Sequence, residues 1–196
     1  MATPRLILAS TSRYRQELLA RLRLPFTVEA PGVDESRQAA EAPAALAQRL
    51  ALAKARAVAE RRPDALVIGS DQVADLDGEP IGKPGTRERS LAQLRSMSGR
   101  SVTFHTAVAV VRLAIGYEAQ ALVPVRVRVR QLDEDEILHY LDAEQPYDCA
   151  GSAKAETLGI ALLDAIESDD PTALIGLPLI RTCAMLRAGG LDPLRS

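Results

Sequence analysis

The sequence predicts an α/β fold, and three features of it do so. Short apolar runs alternate with helical stretches, one of those runs is apolar enough to be covered on both faces, and two long β-branched runs flank a glycine. The first run is residues 5–9 (RLILA), followed by Ser10-Thr11-Ser12, which supplies a helix N-cap. The helix after it, RYRQELLARLRL, sets Tyr14, Leu18 and Leu22 on one stripe. Residues 26–29 (FTVE) read as a second strand, and a polar loop bounded by prolines leads to an Ala-rich helix at about 44–61. Residues 65–69 (ALVIG) are the strand buried on both faces.

DLDG at 75–78 is a tight turn, and a helix near 86–97 has Thr86 as its cap. The β-branched runs at about 101–115 and 120–132 straddle Gly116 and predict a hairpin. LDEDEILHYLDA is a helix whose Asp133 and Glu136 have capping-box spacing. A short strand at about 158–163 and a last helix after Pro178 complete the chain. With no repeat, low-complexity linker or composition break, residues 1–196 are expected to form a single domain.

Composition narrows the function. A net charge of -2 lacks the basic excess of a general nucleic-acid binder. No apolar run approaches the ~20 residues that cross a bilayer. MATPRLILAS is too short in its apolar part for a signal peptide, so a cytoplasmic protein is expected. Cys149 and Cys183 lack CxxC spacing, and His105 and His139 lie far apart, which argues against zinc or a disulfide framework. The cysteines read as two small core thiols. An essential metal would be a hard, oxygen-liganded ion such as Mg2+ or Mn2+.

Candidate functional residues are those that break the structural pattern. Ser10 to Ser12 at a helix N-terminus offer backbone N–H groups and the positive end of the helix dipole to an anion. Arg13 and Arg15 sit oddly in that first turn, where cations are disfavoured. Either a bound polyphosphate removes the conflict, or both are solvated side chains after a plain cap. Lys54 interrupts the Leu46, Leu50, Val58 stripe of the long helix, so it must meet an anion or reach out to solvent. Asp71, placed where ALVIG ends, is positioned to bind a metal or abstract a proton. Asp75, Asp77 and Glu79 lack EF-hand spacing and belong to a turn. Gly82-Lys83-Pro84 is not a P-loop, because GxxxxGK[ST] is absent, yet Lys83 can hold a phosphate as a point charge. Glu156 is by default a solvated acid.

Together these segments resemble the Maf family of nucleotide pyrophosphatases over nearly the whole chain. The resemblance lies in LILASTSRYRQELL (6–19), VDES (33–36), the helix carrying Lys54, VIGSDQVADLDGEPIGKP (67–84), SMSGRSVTFHTAV (96–108), YDCAGSAKAE (147–156) and IGLPL (175–179). It implies a highly twisted mixed sheet with helices on both sides, two lobes flanking a nucleotide cleft, a homodimer, and a divalent cation (Mg2+, Mn2+ or Co2+). It places the catalytic carboxylate at Asp71 and phosphate-binding groups at Ser10, Arg15, Lys54 and Lys83, with Glu35 as a further metal or water-positioning acid beside Asp71.

Three positions that sort substrates in the family read Tyr14, Gln72 and Glu156 here, resembling the branch that prefers 7-methyl-GTP. Pyrimidine-preferring members carry Arg, Thr and Gln instead. The chemistry is consistent with this. N7-methylation makes guanine a cation, which an aromatic face attracts. A carboxylate at Glu156 accepts from guanine N1–H and N2–H2 together, whereas uracil has one N–H between two carbonyls. Tyr14 stands where the branch has Trp, Arg13 where many members have Pro, and Thr157 where a Gly follows the acid. A pyrophosphatase for dTTP, UTP or other noncanonical nucleotides is the rival enzyme, and a non-catalytic nucleotide-binding regulator of cell division is the rival of another class.

Overall fold

The computed structural model describes residues 4–195. The strands are β1 (Leu6–Leu8), β2 (Phe26–Val28), β3 (Leu66–Leu76), β4 (Glu79–Ile81), β5 (Ser101–Arg112), β6 (Tyr117–Val129) and β7 (Leu163–Glu167). The α-helices are α1 (Arg13–Ala20), α2 (Pro43–Ala59), α3 (Arg87–Met97), α4 (Glu134–Glu144) and α5 (Leu179–Ala188). One seven-stranded mixed sheet runs β2-β1-β3-β5-β6-β7, with β4 paired to β3. β1 lies parallel to both β2 and β3, while the β3–β4, β3–β5, β5–β6 and β6–β7 pairs are antiparallel.

Local chemistry sets the element ends. Ser12 caps α1 by accepting from Arg15 N, Thr86 caps α3 by accepting from Arg89 N, and Asp133 with Glu136 forms a full capping box on α4. Asp77 and Gly78 both have positive φ (56° and 88°), the backbone of a tight hairpin turn between β3 and β4. Gly116 at φ 64° ends the 3-10 turn that joins β5 to β6. Residues 158–163 depart from expectation: Leu158–Leu162 form a 3-10 turn, and the strand begins at Leu163. The bonding pattern accounts for the shift, since β7 pairs with β6 only from Leu163 onward, opposite Val129.

Alternation along β5 divides the core. Its odd positions Ala107, Ala109 and Val111 face α2, packing with Leu46, Leu50, Ala51, Ala55 and Val58. Its even positions Val108 and Val110 join Leu18 and Leu19 of α1 and Leu186 of α5 on the opposite face. Farther down that face, Val102 and Phe104 pack with Leu94, Met97, Ile137 and Leu141 of α3 and α4.

Two features of β3 open and shape a cleft. Along one edge it pairs with β1 through residues 66–68 and with β4 through residues 74–76, so residues 69–73 have no strand on that side. The sheet therefore carries a notch between the end of β1 and β4. In addition, α2 lies directly on β3 at Gly69, where an added Cβ would sit 2.2 Å from Ala51 O and 2.5 Å from Ala55 N. Those are backbone atoms and cannot step aside. Gly69→Ala is therefore expected to lift α2 from the sheet and to destabilise the protein by about 3 kcal/mol or more. Urea denaturation measures this, and a midpoint equal to the unmutated protein's would disprove the contact.

Candidate active site

The notch opens into a cleft of about 860 Å³ whose walls come from the β1–α1 turn, the 30–35 loop, α2, β3, the β4–α3 loop and the 148–156 and 174–176 segments. Asp71 lies within it, though not where the sequence suggested. The strand does not end at residue 69 but continues to Leu76, which puts Asp71 in mid-strand. The strand that ends here is β1, at Leu8, and its carboxyl end together with the missing neighbour exposes Asp71 to the cleft.

Lys54 enters from α2. It is only 4% exposed, and its ammonium donates to Asp71 Oδ1 at 2.7 Å and sits 2.9 Å from Glu35 Oε1. The buried stripe Leu46, Leu50, Lys54, Val58 holds on α2 as its four-residue spacing requires, and the ammonium meets two carboxylates. Asp71 is itself 7% exposed, so each of these two buried charges needs the other. Glu35, from the 30–35 loop, is largely solvent-facing and closes the trio from outside.

The remaining candidate phosphate ligands line the same cleft. Ser10 is buried just past β1, and its Oγ accepts from Ser12 N at 3.1 Å. Arg15 is half-buried, and its Nε donates to Gly176 O at 2.9 Å. Burial lowers the affinity of its guanidinium for the proton, while the Asp71 and Glu35 carboxylates act the other way. It remains a cation. Ser70 Oγ donates to the same Gly176 carbonyl at 2.9 Å, so the 174–176 turn is fastened to β3 and to α1 at once. Lys83 is exposed on the β4–α3 loop.

The residues expected to read the base also line this cleft. Tyr14 does not begin a core stripe: its hydroxyl donates to Asp148 Oδ2 at 3.2 Å and accepts from Arg13 Nη2 at 3.1 Å. Burial pushes that phenol up to about 12, so it stays protonated. Gln72 Nε2 lies 2.9–3.0 Å from Thr106 Oγ1, Ala173 O and Leu174 O, which its two N–H groups share, leaving its carbonyl oxygen as the group it can offer a ligand. Glu156 is exposed at the rim, its backbone held in a turn where Thr157 N donates to Lys154 O.

Asp148 and Cys149 are members of the cleft that the sequence did not single out. Cys149 is half-buried rather than a core thiol, as is Cys183. Burial and then the Asp148 charge push the Cys149 thiol up to about 11, so it stays neutral and is no nucleophile. Both residues sit in an irregular segment without periodicity, where no pattern exists to be broken. The nearest available signal was their place inside YDCAGSAKAE.

A mixed seven-stranded sheet with a notch of this composition defines a class. The family model described as Maf-like protein matches residues 5–189, and the chain belongs to that family. Three similar proteins share the name 7-methyl-GTP pyrophosphatase. That of Polaromonas sp. (strain JS666 / ATCC BAA-500) is 64% identical over 186 residues, covering 95% of this chain and 85% of its own. Those of Albidiferax ferrireducens (strain ATCC BAA-621 / DSM 15236 / T118) and Bordetella pertussis (strain Tohama I / ATCC BAA-589 / NCTC 13251) are 62% and 61% identical over 190 and 191 residues. Each of these two alignments covers 97% of this chain, and 96% and 95% of the respective relative.

The buried pair makes a stability prediction. Lys54→Met strands Asp71 without its cation and should cost about 3 kcal/mol or more in urea denaturation. The double variant Lys54→Met/Asp71→Asn removes both charges and should recover most of that loss. Losses that simply add would show that the two charges do not depend on each other.

Proposed function

We propose that this protein is a cytoplasmic, homodimeric pyrophosphatase that hydrolyses 7-methyl-GTP to 7-methyl-GMP and pyrophosphate. The observation that carries this reading is the convergence of Lys54, Asp71 and Glu35 in a cleft that also collects Ser10, Arg15 and Lys83. The name shared by relatives 61–64% identical supports the choice of substrate.

In this mechanism Arg15, Lys54 and Lys83 grip the triphosphate, with Ser10 as a hydrogen-bonding partner. When Lys54 turns toward phosphate, it releases the carboxylate it held. Asp71 then accepts a proton from the water whose oxygen bonds to the α-phosphorus, the bond from that phosphorus to the bridging oxygen breaks, and pyrophosphate leaves. Positioning and charge stabilisation supply most of the rate in such reactions.

A hard divalent ion fits the donors present. Among the described residues no group of three or more His, Cys, Asp and Glu is placed to hold a metal. Mg2+ typically needs only one or two carboxylates beside substrate phosphates. Glu35 and Asp71 are the carboxylates that would hold it, Asp71 then orienting the water in place of taking its proton. Such an ion (Mg2+, Mn2+ or Co2+) would neutralise phosphate charge when bound.

Elsewhere in the cleft, the Tyr14 ring faces the cationic methylated guanine. Glu156 accepts from its N1–H and N2–H2, and Gln72 contributes its carbonyl oxygen. These three residues determine the choice of base.

The test is a panel of 7-methyl-GTP, GTP, UTP and dTTP screened for pyrophosphate release with each of the three metals. The expected result is the highest kcat/KM for 7-methyl-GTP. Preference for UTP or dTTP would give the rival enzyme, and tight binding without pyrophosphate would reject catalysis. Asp71→Asn should lower kcat by about 10²-fold or more with nucleotide binding largely kept. Glu156→Gln should lose the preference for the methylated purine.

A further inference from the structure

The Tyr14 ring already carries a cation. The Arg13 guanidinium carbon lies 4.8 Å from the ring centroid, within the range of a cation–π contact. Arg13 Nη2 donates to the Tyr14 hydroxyl, and that hydroxyl donates onward to Asp148 Oδ2 across 134 positions of sequence. All three residues line the cleft. We infer that Arg13, Tyr14 and Asp148 form a cation subsite, filled in the free protein by the chain's own guanidinium and taken over by the cationic base of the substrate. This rests on the 7-methyl-GTP reading and adds two residues to it.

Several observations support the assignment. Arg13 opens α1, where the helix dipole disfavours a cation, so something local must compensate. The compensation is visible: the ring face, the phenol oxygen and the Asp148 charge. Arg15, two residues on, donates to Gly176 O instead, so the two arginines of this turn have different partners. Asp148 is suited to the role. Burial raises its carboxyl, but hydrogen bonds from Cys149 and Tyr14 and the charge of Lys154 outweigh that and hold it below the usual carboxylate range. It is therefore an anion at neutral pH. Arg13 is exposed, and an exposed cation–π contact is weak. A methylated purine laid on the same face excludes water and makes the stronger contact. Two cations cannot share the face, so the guanidinium must move aside.

The expected effects have definite signs. Removing Arg13 frees the ring for a cationic base, and removing the Asp148 charge weakens the hold on it. Asp148→Asn keeps an oxygen for the Tyr14 hydroxyl, so it separates charge from ring anchoring. The experiment compares the ratio of kcat/KM for 7-methyl-GTP to that for GTP, which carries the same triphosphate. Relative to the unmutated protein, Arg13→Ala should raise the ratio about three- to tenfold and Asp148→Asn should lower it by a similar factor, both through KM. Arg13→Lys, which returns a cation to the ring, should bring the ratio back. Ratios that stay put, or that move in the same direction in both single variants, overturn the subsite. Equal loss for both nucleotides in Arg13→Ala also overturns it, since that is the behaviour of a phosphate ligand. An unmutated protein with no preference for 7-methyl-GTP overturns the substrate reading and the subsite together, whereas a preserved preference with unmoved variants overturns the subsite alone.

Discussion

A buried ammonium between two carboxylates is the constraint around which this molecule is arranged. An ammonium at 4% exposure needs anionic partners, and Asp71 and Glu35 supply them to Lys54. Bringing them together requires that α2 lie close enough to β3 for a lysine on the fourth turn of the helix to reach a mid-strand aspartate. Gly69 permits that approach, since any side chain there would meet the backbone of α2. It also requires that β3 be open on one edge beside Asp71. The short β1 and the hairpin to β4 leave that opening.

The same arrangement has consequences for reactivity. A carboxylate engaged by an ammonium is held ready without being lost to solvent. A triphosphate is a stronger attractor for Lys54 than either carboxylate, because it presents several charges at once. Under the proposed mechanism, substrate binding therefore frees the carboxylate that takes the proton. The cleft also brings charges of both signs to one wall. Arg15, Lys54 and Lys83 line it together with Tyr14, Asp148 and Glu156. A nucleotide that is anionic at its phosphates and cationic at its base matches both kinds of group.

Much of this was legible in the sequence because it violated a pattern. A lysine in an apolar helical stripe and an acid just past a wholly apolar strand are visible without coordinates. The helix caps and hairpin glycines were visible because they obey local rules that depend on few neighbours. The length of β3 was not visible: its apolar run stops at Gly69, and only pairing with β5 and β4 keeps residues 70–76 extended. Residues 158–162 read as a strand because their composition is strand-like, yet there is no partner for them until β6 comes alongside at Leu163. Asp148 and Cys149 were missed for the opposite reason. In an irregular segment a polar residue is ordinary, so its position against Tyr14 emerges only in three dimensions.

The most direct test of the central claim is a crystal structure with a 7-methyl-GTP analogue in which a methylene replaces the α,β-bridging oxygen. Lys54 should have moved from Asp71 Oδ1 to a phosphate oxygen, with the freed Asp71 carboxylate facing the α-phosphorus and the methylated guanine against Tyr14. A triphosphate bound elsewhere, or bound here with the Lys54–Asp71 contact still closed at 2.7 Å, would contradict it.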